Sequence, residues 1–109
     1  MKEYYEPFEN AEEVWFWFCG SIVARGDGLR SKSDYWGKIR NCEISDIYRI
    51  IKKMKQNHHL SNRHLRVMSY WGEKQQSPWY EPRAKRSDIR LWEEGLRNFE
   101  YYLLCQKIL

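Results

Sequence analysis

Apolar residues recur three and four positions apart through much of the second half of the chain, the period of a helix with one buried face. The clearest set is Ile89, Trp92, Leu96, Phe99 and Leu103, which predicts a helix over 88–106 packed nearly parallel to a neighbour, with Ser87 or Asp88 as its N-cap. A helix is also predicted over 43–56, where Ile44, Ile47, Ile51 and Met54 share one face and Ser45, Arg49, Lys53 and Gln56 lie opposite. Another follows over 61–75, capped by Ser61. At about 100° per residue, Leu65, Val67, Met68 and Trp71 gather with His64 on its inner side. Asn62, Arg63, Arg66, Ser69, Tyr70, Glu73 and Lys74 gather on its outer side.

The first predicted helix, over 10–25, has a different pattern. Asn10 is its N-cap and Glu13 stands at the third helical position, as in a capping box. Its apolar residues Val14, Trp15, Phe16, Trp17, Phe18, Cys19, Ile22 and Val23 surround the axis instead of forming a stripe. A short buried strand over 14–19 competes for the same residues, but the cap and the continuation through Ile22 and Val23 favour helix. All-round apolarity asks for burial by this core or by a second copy. Trp15, Phe16, Trp17 and Phe18 are therefore candidate homodimer or partner-interface residues.

The remaining segments are an N-terminal arm over 1–9 broken by Pro7, a loop over 26–42 carrying Tyr35 and Trp36, and a loop over 76–87 interrupted by prolines. The expected architecture is one all-α, compact four-helix domain spanning 1–109. The turn near 57–60 makes the second and third helices a possible helix-turn-helix-like pair, although it lacks a glycine.

Charge adds a candidate function. The net charge is +4, but residues 38–90 carry +8, flanked by −3 over 1–37 and −1 over 91–109. A basic middle between mildly acidic ends suits a polyanionic partner. The outward set Asn62, Arg63, Arg66, Ser69, Tyr70 and Lys74 has the chemistry to meet bases and phosphates from a helix in a groove. Arg49, Lys52, Lys53 and Lys55 on the second helix could hold phosphates beside it. A further cluster, Arg83, Lys85, Arg86 and Arg90, follows Trp79 and Tyr80, and cations beside aromatic rings suit a backbone with a stacked base. The alternative for that segment is a solvated loop with Trp79 folded back onto the core.

Other chemistries find no motif. His58, His59 and His64 match no closed zinc spacing, and Cys19, Cys42 and Cys105 lie far from them, so no metal or cofactor is expected. No serine or cysteine sits in an activating motif, and "RGDG" lacks the spacing and the Lys-Ser or Lys-Thr of a phosphate loop, which argues against an enzyme. Three dispersed cysteines and no secretory pattern imply a reduced, cytoplasmic setting. The longest dense apolar stretch, "VWFWFCGSIVA", is 11 residues, against about 20 for a membrane-spanning helix.

At "NAEEVWFWF", and more loosely at "CEISDIYRII", "HLRVMSYWG" and "LWEEGLRNFEYYLLCQKIL", the chain resembles a group of short uncharacterised alphaproteobacterial proteins. The resemblance implies a bacterial cytoplasmic setting and no particular activity. The residues themselves lead to a small DNA-binding regulatory or accessory protein. The alternatives are a helical protein-interaction module, as homodimer or adaptor, and an RNA-binding domain.

Overall fold

A computed structural model describes residues 6–26 and 40–109, with side chains as far as residue 23 in the first stretch. These residues form four helices, α1 (Ala11–Gly26), α2 (Ile44–Gln56), α3 (Asn62–Glu73) and α4 (Arg86–Cys105), with a 3-10 turn at Pro78–Tyr80. No strand is present among the described residues, and the aromatic run over 14–19 is helical. Most of the loop expected over 26–42, with Tyr35 and Trp36, and the first five residues of the arm lie outside the described residues.

Three helix starts follow from local capping. The Glu13 N–H donates to Asn10 Oδ1 at 2.8 Å, as the sequence predicts. Glu43 caps α2, its own N–H donating to Asp46 Oδ2 at 2.8 Å. Ser61 Oγ accepts from the His64 N–H at 3.2 Å, so Ser61 caps α3 as expected. The fourth start differs from expectation. Lys85 takes the N-cap position of α4 without a side-chain hydrogen bond, and Asp88 stands one turn inside the helix. There, in the first turn, its carboxylate lies near the positive end of the helix dipole, which is stabilising.

The C-terminal ends of α2, α3 and α4 are closed without glycine. His58, Gln75 and Lys107 follow α2, α3 and α4 with φ of 61°, 56° and 59°. In each case the next N–H reaches back five residues into the helix: His59 to Met54 O, Gln76 to Trp71 O and Ile108 to Leu103 O. This is the Schellman closure, which a left-handed residue completes by pairing the last carbonyls.

The core is built around α4 and α1. Val14, Trp15, Trp17, Phe18 and Cys19 of α1 are buried with Ile47, Met54, Met68, Trp92, Phe99 and Leu103. α3 packs most extensively on α4 and next on α1, whereas α2 packs on α4 and more lightly on α1. α2 and α3 hardly touch each other, so the short turn between them joins two helices that share α4 as a support. That turn is fastened to α4. The Tyr102 hydroxyl accepts from Asn57 Nδ2 at 3.0 Å and lies 2.6 Å from His59 Nδ1, and Asn98 Nδ2 donates to the His59 carbonyl at 2.8 Å.

Two glycines place α3. A Cβ on Gly72 would lie 2.5 Å from Cys19 Sγ and 2.7 Å from Trp15 Nε1, and one on Gly95 would run into the Met68 thioether. Their missing side chains let α3 approach α1 on one side and α4 on the other. The Trp15 indole N–H then reaches the Met68 carbonyl at 2.8 Å, tying the centre of α1 to the centre of α3.

Candidate nucleic-acid interface

The position of α3 determines which predicted contact residues meet. Asn62, Arg63, Arg66, Ser69, Tyr70 and Lys74 are all exposed on it. Arg66, Tyr70 and Lys74 are four residues apart and form one rail along the helix. This rail faces the segment that follows the 3-10 turn. The two enclose an open groove of about 630 Å³ lined by Arg66, Val67, Tyr70, Trp71 and Lys74 on one side and by Glu81, Arg83, Ala84, Lys85 and Asp88 on the other. Two basic segments separated in sequence thus share one concave surface.

Its floor is apolar, from Val67, Trp71 and Ala84, and its rim is charged. Lys74 Nζ sits 4.5 Å from the centre of the Tyr70 ring and 5.5 Å from that of Trp71, a cation–π arrangement that holds the ammonium over the groove wall. Two carboxylates also belong to the lining. Glu81 turns one oxygen to its own loop, where Oε1 accepts the Arg83 N–H at 3.2 Å, and Asp88 stands in the first turn of α4. Among the described residues, no carboxylate forms an ion pair with Arg66, Lys74, Arg83 or Lys85.

The aromatic pair beside the groove does not fold back onto the core. Trp79 is 62% exposed and Tyr80 81%, although the Pro78 next to them is fully buried. Ser77 is buried too, and its Oγ accepts the Trp79 N–H at 3.3 Å, so the turn is anchored while its two rings face solvent. The solvated-loop alternative is therefore half right: the segment is at the surface, but Trp79 stays out of the core.

The other predicted contacts lie elsewhere. Arg86 and Arg90 are exposed at the start of α4 but do not line the groove. Arg49 and Lys53 line a separate groove of about 330 Å³ with Cys42, Asp46, Tyr102 and Ile108, and Arg49 pairs with Asp46 at 3.5 Å. Asp88 and Tyr102 belong to opposite ends of α4, about 21 Å apart along its axis at 1.5 Å per residue. The cations of α2, Lys52 and Lys55 included, therefore do not flank the α3 groove as the helix-turn-helix reading supposed. Asn62, Arg63 and Ser69 are exposed outside the groove lining.

The proposed interface residues of α1 are mostly interior. Trp15, Trp17 and Phe18 are buried and Phe16 is half-buried, its ring 5.7 Å from that of Trp92. Most of the apolar surplus that suggested a second copy is taken up by the chain's own core, while Val23 stays exposed.

His64, Cys19 and Cys42 are engaged in the fold. His64 Nδ1 accepts from the Ser61 N–H at 3.2 Å, which leaves Nε2 to carry the proton toward Glu94 Oε2 at 3.1 Å and joins α3 to α4. Among the described residues, no group of three or more His, Cys, Asp or Glu side chains converges on a point where a metal could sit. Burial, reinforced by Glu73, pushes the Cys19 thiol up to about 12. Burial followed by Asp46, against the opposing Arg40, does the same to Cys42. Neither offers a thiolate at neutral pH.

No helix among the described residues is long and apolar enough to cross a membrane. The chain matches no family model, no curated protein and no solved structure.

Proposed function

We propose that the protein is a small, non-enzymatic nucleic-acid-binding domain, a regulatory or accessory factor of a bacterial cytoplasm with DNA as its partner. The observation that carries this reading is the meeting of Arg66 and Lys74 with Arg83 and Lys85 across one groove, without ion-pair partners among the described residues. Four cations against two carboxylates in one groove leave a positive surface for a phosphate backbone. Like charges brought together in a fold gain most when an anionic partner neutralises them. Contacts of this kind position a backbone and carry no sequence preference of their own.

Anisotropy titrations of a labelled oligonucleotide at several salt concentrations test the proposal. If four phosphates are neutralised, affinity falls roughly 50- to 150-fold between about 50 and about 200 mM salt. Absence of binding at the lower salt rejects it. A protein-interaction module is the rival, since exposed Trp and Tyr beside Arg are also the composition of binding hot spots. Binding of a protein partner would lack the log-linear salt dependence of counterion release.

A further inference from the structure

From the surface beside the groove we infer that the bound strand is single-stranded, with unpaired bases stacking on Trp79 and Tyr80 while its phosphates follow Arg83, Lys85 and the α3 rail. The inference rests on the nucleic-acid reading and narrows it to a strand state. Exposure of two large rings to water is unfavourable. The chain nonetheless holds them out: Ser77 and Pro78 are buried directly before Trp79 and Tyr80, and the turn packs on α4.

The two rings stand immediately before Glu81, the first loop residue of the groove. At about 3.8 Å between successive residues, Trp79 lies no more than about 8 Å along the chain from Glu81 and about 15 Å from Arg83. A strand whose phosphate sits at Arg83 therefore brings a base a few nucleotides along it within reach of a ring. Tyr70, the exposed ring that lines the groove itself, has one face covered by Lys74. Trp79 and Tyr80 are thus the better platforms. In a duplex the bases are already stacked on each other and their faces are closed, whereas each base of a single strand offers a free face.

The test compares a 20-nucleotide oligothymidine, an oligouridine of the same length and a 20-base-pair duplex, each titrated against the wild-type chain, W79A/Y80A and R83A/K85A. Both double variants change exposed side chains, and circular dichroism checks that each keeps the wild-type helix content. Single strands of either sugar are expected to bind at least about tenfold more tightly than duplex. W79A/Y80A should then lose about tenfold or more on single strands with an unchanged salt slope, and W79F/Y80F should recover most of it. R83A/K85A should instead reduce the salt slope by about 1.4. Equal binding of duplex, indifferent to W79A/Y80A but weakened by R83A/K85A, overturns stacking and leaves the groove reading intact. Absence of binding to all three at low salt overturns both.

Discussion

The runs "VWFWF" in α1 and "PWY" after α3 use the same kinds of side chain and meet opposite fates. Trp15, Trp17 and Phe18 are 2%, 5% and 4% exposed, whereas Trp79 and Tyr80 are 62% and 81% exposed. Local surroundings account for the difference. α1 rests against α3 and α4 so closely that Gly72 must lack a side chain, and the Trp15 indole finds the Met68 carbonyl as its polar partner. The 3-10 turn is three residues long, too short to present a face, and it buries its proline instead. Aromatic content alone thus says little about function. Rings covered on all sides stabilise the fold, and rings held out beside a groove with more cations than carboxylates are available to a ligand.

Substitution separates the two regions most sharply. Trp15→Ala removes a buried ring, its edge contact with Phe99 and its bond to Met68, and should cost about 3–5 kcal/mol in urea denaturation. Trp79→Ala should change stability by less than about 0.5 kcal/mol in the same assay. Equal losses at both sites would break the distinction.

A smaller effect is expected where the core side is closed. Gly72→Ala places a methyl group against the rigid Trp15 indole and Cys19 Sγ, and overpacking of this kind costs about 1–3 kcal/mol. The helical preference for Ala over Gly returns up to about 1 kcal/mol. A lower urea midpoint is the expected result, and a midpoint at or above wild type would mean that α1 and α3 are packed more loosely than described.

The core side also leaves a mark in the pH dependence of stability. The Cys19 thiol is held near 12 in the folded protein against an ordinary value near 9. The folded state therefore keeps this proton longer, so the stabilisation is complete below about pH 9 and is lost as pH rises toward 12. Replacing Cys19 with Ala should make that alkaline fall shallower. Exposed Cys105 should react with a thiol reagent in the native state, while Cys19 should react only on unfolding. Rapid native modification of Cys19 would show that the α1 side of the core opens.

Much of the fold was legible because it is local. Asn10 and Ser61 cap where their positions predict, and the stripe through Trp92, Leu96, Phe99 and Leu103 is the buried face of α4. The start of α4 was misplaced because Ser87 and Asp88 suit either a cap or a first turn, and the choice depends on the course of the preceding loop. The candidate site was legible as two basic segments but not as one groove. Their meeting depends on how closely α3 approaches α1 and α4, which Gly72 and Gly95 decide and no periodicity records. The assignment of Arg49 and Lys53 to the same surface as α3 failed for the same reason: α2 leans on α4 instead of α3. The exposure of Trp79 and Tyr80 left no trace in the pattern, since three residues have no measurable period.

Indole N–H resonances offer the most direct measurement, because each tryptophan side chain supplies one signal. A titration of isotope-labelled protein with oligothymidine should move and broaden the Trp79 indole signal together with the backbone amides of residues 81–85. The indole signals of Trp15, Trp17 and Trp92 should stay in place, as their rings are buried. Shifts confined to α2 around Arg49 and Lys53, or an unmoved Trp79 under saturating oligonucleotide, would contradict the account.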